Sequence, residues 1–414
     1  MKKVLFVTYG GGHVNIVIPI AKEIEKHDDI EYSIVAFTTA IPVLEVSGLK
    51  FKTLIDYLPF FKDSKKIIDI GYSLASQYHN PDVGFSIEET SAYLGCSMYD
   101  LIKKIGKEKA LEKFNKDGRK AFCPTSIMQQ ILKIEQPDIL VTTVPYRMEK
   151  AAVLEAKQFN ITTVFIHDVH FIQSFLENKN VYQSVNIHFV MNKLVKRQLI
   201  NYGIEENKIF VTGQPAFDYL LEPICKNKND IYKEFGLSPE KKTIVWIADN
   251  SKVLTKTYFN EITKVINRFK EYQFIIKMHP GEENINVFRK IYEKNKDNTV
   301  LLHKVNNKEL IYIGDLFLVA LSTMGLEISR GGKDMICLDY DNLWENLFKE
   351  YANKYRYDIL NLGLLVKEND ELSNVISNML NNDKLRNHFY DKRSEIFPNK
   401  YRASLYCYNL LMNV

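Results

Sequence analysis

The sequence predicts an α/β protein of two Rossmann-like domains, their parallel sheets facing each other across a cleft. Two observations carry this. Short apolar runs rich in Val, Ile and Phe alternate with longer amphipathic stretches, the pattern of β-α units in a parallel sheet. The series also runs twice. First-half strands are expected at Val4–Thr8, Tyr32–Phe37, Ile139–Thr142, Thr163–Ile166 and Ile187–Val190. After a Gly213-Gln214-Pro215 turn and a polar link at Lys226–Asp230, a second set follows at Thr243–Ile247, Gln273–Lys277, Val300–Leu302, Leu316–Val319 and Met335–Leu338. The expected domains are therefore 1–222 and 223–395, with 396–414 carrying a last helix over Arg402–Met412 after Pro398. Residues 56–125 break the rhythm with a polar, aromatic segment at Tyr72–Tyr99 and a charged helix at Leu101–Lys116, and read as an insertion in the first domain.

Composition narrows the function classes. A chain of 414 residues, 46% hydrophobic, is long enough to bury two cores. Its 55 basic and 51 acidic side chains are interspersed, so the net charge of +4 leaves no polyanion footprint and no nucleic-acid partner is expected. The five cysteines (Cys96, Cys123, Cys225, Cys337 and Cys407) form no C-x-x-C pair, which fits reduced thiols and a cytoplasmic protein. The apolar start Val4–Val7 is cut short by Gly10-Gly11-Gly12-His13 and reads as a buried strand, not a signal peptide. No stretch reaches the roughly 20 apolar residues that span a bilayer, so any membrane role is peripheral.

Three constellations carry the chemistry. In the first, a strand ends in Tyr9-Gly10-Gly11-Gly12-His13-Val14-Asn15 and a helix follows at once. Such a junction offers bare backbone amides and a helix N-terminus at the sheet's carboxyl edge, and the dipole there keeps His13 neutral and available as a base. It is neither G-x-G-x-x-G nor a Walker loop. The loop resembles that of GT-B glycosyltransferases, the G-H-hydrophobic-N signature of small-molecule glycosyltransferases, and the glycine-rich loop of the peptidoglycan lipid-intermediate N-acetylglucosaminyltransferase. That resemblance implies the GT-B architecture, His13 as general base, Gly11, Gly12 and Asn15 on the acceptor side, and a last helix crossing back to the first domain.

The second constellation, Lys277-Met278-His279-Pro280-Gly281-Glu282, follows an apolar strand that Pro280 stops, leaving the His279 ring able to donate to a phosphate. It resembles the His-Pro motif of bacterial sialyltransferases, capsular Kdo transferases and teichoic-acid glycerophosphotransferases. In the third, the strand Leu316–Val319 leads to Ser322-Thr323-Met324-Gly325-Leu326-Glu327, then Gly331-Gly332, then another strand. Hydroxyls and amides at a helix start suit a phosphate, and Glu327 suits vicinal ribose hydroxyls. This order resembles the donor-binding unit of GT-B enzymes. The segment Val211-Thr212-Gly213-Gln214-Pro215-Ala216-Phe217-Asp218 resembles one shared by those enzymes and UDP-N-acetylglucosamine 2-epimerases, implying that Gly213 and Gln214 face the ligand; Asn250 stands where the family's donor-phosphate loop lies.

Asp168 and His170, with His167, follow Thr163–Ile166 and are expected to line the acceptor cleft. A metal there would need a third ligand, and with no D-x-D motif at a strand end neither a metal nor another cofactor is expected. The expectation is a metal-independent, inverting glycosyltransferase taking a UDP- or CMP-sugar to a surface-glycan, lipid-linked or small-molecule acceptor. The glycine loop leans toward UDP, the His-Pro motif toward CMP or CDP. The rivals are a 2-epimerase, whose early G-T-R-P-E type loop is missing here, and a nucleotide-sugar-binding protein without catalysis.

Overall fold

The computed structural model describes residues 1–368, 371–397 and 401–414 and divides into two units, Met1–Asp218 with Asn399–Val414, and Tyr219–Pro398. Pro398 itself lies outside the described residues. Each unit is built on a parallel six-stranded sheet.

In the first unit the strands are β1 (Lys2–Tyr9), β2 (Ile30–Phe37), β3 (Ile139–Thr142), β4 (Thr162–Ile166), β5 (Ile187–Val190) and β6 (Ile209–Val211), in the order β2-β1-β3-β4-β5-β6. The second holds β7 (Thr243–Ile247), β8 (Gln273–Lys277), β9 (Thr299–Leu302), β10 (Leu316–Val319), β11 (Asp334–Leu338) and β12 (Gly363–Val366), in the order β12-β11-β10-β7-β8-β9. The central strands are apolar on both faces, as a parallel sheet covered by helices requires: Val4 through Val7 and Ile244 through Ile247 are all buried. The strand order reverses beside β1 in one sheet and beside β7 in the other. Open α/β sheets bind ligands outside the carboxyl ends at such points.

The sequence did not announce the two edge strands. Ile209–Val211 is too short to show an alternation, and β12 starts on a glycine, which ordinarily breaks a strand. Gly363 is there because a Cβ would lie 2.3 Å from the carbonyl oxygen of Met335 on the paired strand. The expected charged helix at Leu101–Lys116 is two helices, Ile87–Ile105 and Lys107–Asp117, broken at Gly106 with φ of 83°. That left-handed conformation stops the first helix.

The insertion is a helical hairpin whose packing depends on two glycines. Helix Ser64–Tyr78 runs against Ile87–Ile105 so closely that a Cβ on Gly71 would sit 2.1 Å from the Ser91 carbonyl oxygen, and one on Gly95 2.2 Å from that of Ile67. At the far end of the chain, helix Ala403–Met412 packs on the first unit. Asp218 caps it, accepting from the Ala403 and Ser404 amides at 2.8 and 2.7 Å. Lys2 donates to the Met412 and Val414 carbonyls at 2.8 and 2.6 Å, and His27 stacks on Tyr408 at 4.1 Å. No helix among the described residues is long and apolar enough to cross a membrane.

Replacing Gly95 by Val should destabilise the first unit by about 2 kcal/mol or more through overpacking. Gly12→Ala should leave the melting temperature unchanged, since nothing lies within 4 Å of a Cβ there. Differential scanning calorimetry of both variants checks this; equal melting temperatures would refute the steric account.

Candidate active site

In the first unit the site grows from the exits of β1 and β3. Gly10 passes so close to Thr39 that a Cβ would meet its Oγ1 at 1.9 Å, and Gly11 has φ of 69°. Neither reason applies to Gly12, which is exposed and open, as is Asn15 at the start of helix Val14–Ile24. The loop therefore turns a bare backbone outward beside a helix start. His13 takes the N-cap position without a side-chain capping bond. Its Nδ1 lies 3.8 Å from Oδ2 of Asp168, on the loop after β4. Burial pulls the imidazole below its ordinary value; Asp168 opposes this and Arg147 reinforces it. Burial in turn pushes the Asp168 carboxyl up, with His13 opposing. A neutral imidazole beside a carboxylate that can stabilise its protonated form is the arrangement of a general base.

Behind this loop sits Glu149, fully buried. Its carboxyl accepts from the amides of Thr143 at 2.5 Å, Val144 at 2.8 Å and Tyr9 at 3.3 Å, tying the exits of β1 and β3 together. Burial pushes it up to about 8 against the pull of those amides. Arg147, with φ of 53°, lays its guanidinium over the Tyr9 ring at 4.2 Å, and Tyr9 meets Tyr93 from the insertion, hydroxyl to hydroxyl, at 3.3 Å.

Four expected residues of this unit, Gln214, Gly213, His167 and His170, make contacts or turns within the protein. Gln214 is buried and its amide nitrogen donates to the carbonyls of His167 and Asp168, both at 3.1 Å, so it props the Asp168 loop. Gly213, with φ of 84°, makes the turn that brings it there. His167 is buried against His188, Nε2 to Nδ1 at 3.1 Å, and His170 is buried too, which removes both rings from the lining and leaves Asp168.

In the second unit the site forms on the exits of β7, β8 and β10. Buried Asp249 accepts from the Leu321 amide at 3.0 Å and is pushed up to about 6 by burial, repeating at β7 and β10 what Glu149 does at β1 and β3. The next residues hold the His-Pro loop: Asn250 donates to the Gly281 carbonyl at 3.0 Å, while the Ser251 amide and hydroxyl both donate to Glu282 at 2.6 Å. Asn250 thus positions the loop. His279 is exposed, and its Nδ1 accepts from the Gly281 amide at 3.0 Å. A neutral ring bonded this way carries its proton on Nε2 and presents it outward as a donor. Burial and Lys277 both hold its pKa below the ordinary value.

On the loop after β10, Ser322 accepts from the Met324 amide at 3.3 Å and Thr323 is exposed. Gly325 is required by Tyr357: a Cβ would lie 2.5 Å from its ring, and the Tyr357 hydroxyl donates to the Ser322 carbonyl at 2.8 Å. Glu327 accepts from the Tyr219 hydroxyl and, at 3.3 Å, from Asn307, both on Oε2, so Oε1 remains for a further donor. Burial raises its pKa while Tyr219, Asn307 and Lys277 lower it. Tyr219, Asn307 and Lys277 complete this group; sequence reasoning missed Tyr219 and Asn307, which only the fold brings to Glu327. Asp339 is fully buried, bonded to Arg356 at 3.0 Å and the Trp344 amide at 3.0 Å, and belongs to the core.

Comparison with solved structures decides the architecture. The chain aligns over its full length, and the full length of that chain, with UDP-GlcNAc 2-epimerase from Neisseria meningitidis bound to UDP-GlcNAc, at 16% identity and a TM-score of 0.67. It does so with MurG of Acinetobacter baumannii at 12% identity and 0.56. The fold is GT-B. By sequence, residues 126–315 match the UDP-N-acetylglucosamine 2-epimerase family. A processive diacylglycerol beta-glucosyltransferase of Bacillus licheniformis is 28% identical over 134 residues, 31% of this chain and 31% of the relative, so the chain spans less than a third of that curated relative's length in the match.

Removing Glu149 strands three buried amides, each worth about 1–3 kcal/mol when unsatisfied. Glu149→Ala should therefore cost at least about 3 kcal/mol, read as a lowered melting temperature; a variant as stable as the parent would show that the carboxylate does not hold the two exits.

Proposed function

We propose that the protein is a glycosyltransferase that moves a sugar from a UDP-sugar to an acceptor hydroxyl, by a single inverting displacement that needs no metal. The observation that carries this is His13, kept neutral at the start of a helix with Asp168 beside it. His13 takes the proton of the acceptor hydroxyl as its oxygen bonds to the anomeric carbon. The bond from that carbon to the diphosphate breaks, and the electron pair leaves with UDP. His279 donates from Nε2 to the departing diphosphate, joined by the Ser322 and Thr323 hydroxyls, while Glu327 accepts from the ribose. UDP is favoured over CMP because structural neighbours such as the Neisseria meningitidis enzyme are described with UDP-sugars. A cation is dispensable where such donors carry the charge.

The match of residues 126–315 to the 2-epimerase family favours a second reading, epimerisation of a UDP-sugar at C2. The two readings differ in whether turnover requires an acceptor, and only a transferase joins the sugar to it.

Replacing His13 by Ala should lower transfer about 10²–10⁴-fold while leaving UDP affinity within about twofold. Transfer by the parent should persist in excess EDTA. Donor-consumption assays and calorimetric titration of UDP test both. Parental turnover by the His13→Ala variant would refute the base assignment, and activity lost to EDTA and restored by magnesium would refute the metal-free step.

A further inference from the structure

The first unit holds a cavity of about 640 Å³ that has no part in the proposed transfer step. Helix Arg147–Ala156 forms one wall, with Arg147 and Lys150 half-buried; the end of the insertion forms another, with Lys113, Arg119 and Lys120. Glu177 is the single acid in the lining. Among the described residues, none of these five cations has a carboxylate within ion-pair distance. That sets them apart from Lys104, paired with Asp100 at 2.7 Å, and Lys196, paired with Glu206 at 3.0 Å. Five like charges around one hollow repel one another, and the arrangement is relieved by an anion.

Its cations are also placed. Arg147 adopts a left-handed backbone conformation that bulky residues avoid, and its side chain lies across Tyr9. Arg119 lies 5.8 Å from the centroid of Tyr93, whose hydroxyl meets that of Tyr9. Lys150 is steadied by Asn178 at 3.1 Å. Buried Phe122 and half-exposed Tyr146 give the remaining wall an apolar body, so the hollow suits an anionic group attached to a less polar one. Its volume falls within the roughly 300–1,000 Å³ typical of small-molecule sites.

We propose that this cavity binds the phosphate group of a phosphorylated acceptor. The inference rests on the transferase reading and names the acceptor's class. Arg147 is the link: it lines the cavity and also holds down the basicity of His13. An anion seated on Arg147 offsets that charge, so the bound acceptor makes His13 a stronger base when there is a proton to take. The phosphate belongs either to a soluble phosphomonoester or to a lipid headgroup.

The test titrates the full chain with glycerol 3-phosphate in one arm and with phosphatidylcholine vesicles containing phosphatidic acid in the other, and with UDP on the same samples. The R119E/K120E variant changes two exposed residues and should fold. Binding in at least one arm is expected, weakened about tenfold or more in that variant as two attractive charges become repulsive, with UDP affinity kept. Binding in the soluble arm assigns a free phosphomonoester, and binding to vesicles alone a lipid headgroup. No binding in either arm while UDP binds, or equal binding by the variant, overturns the cavity assignment. Phosphate binding with no UDP binding overturns the transferase reading and the acceptor role together.

Discussion

Everything else in the two candidate sites depends on one repeated constraint, a buried carboxylate at the point where each sheet reverses its strand order. Strands that diverge into separate loops leave backbone amides at their carboxyl ends with no ladder partner. Glu149 collects three of these and Asp249 one. Two opposing effects meet there. Burial drives the carboxyls up, to about 8 and about 6, while an unsatisfied buried amide costs about 1–3 kcal/mol. The amides win in the geometry, since both side chains point inward at their donors, and the loops bearing His13, Arg147 and Ser322 take their places from them.

This division of labour explains which parts were legible in the sequence. The strands were, because burial on both faces demands unbroken apolar runs such as Val4–Val7 and Ile244–Ile247. So were the positions of His13, His279 and Ser322 at strand exits, since glycine and proline punctuate those exits visibly. The supports were not. Glu149 bonds to Thr143 and Val144 within six positions but to Tyr9 across 140, and Tyr219 reaches Glu327 across 108, long separations that leave no local pattern. The roles of Gln214 and Asp218 were hidden for a related reason. Both residues lie in a segment that resembles one in ligand-binding enzymes, yet one props the Asp168 loop and the other caps the last helix. A residue type suited to a ligand is equally suited to a backbone.

Within the second unit the groups proposed to hold a nucleotide form a consistent set. His279 has its proton directed outward by the Gly281 amide, and the Asn250–Ser251 turn holds its loop through Gly281 and Glu282. Glu327 keeps one oxygen free while Tyr219 and Asn307 fix the other. Lys277, buried at the end of β8, lies in electrostatic reach of both and lowers the pKa of each. On the proposed reading, the donors for a diphosphate and the acceptor for a diol are held in place before the nucleotide arrives.

The most direct measurement is a crystal structure of the protein with UDP. The account predicts a diphosphate oxygen within hydrogen-bond reach of Nε2 of His279 and of the Ser322–Thr323 segment, and ribose hydroxyls on Glu327. A diphosphate farther than about 4 Å from both His279 and that segment would contradict it.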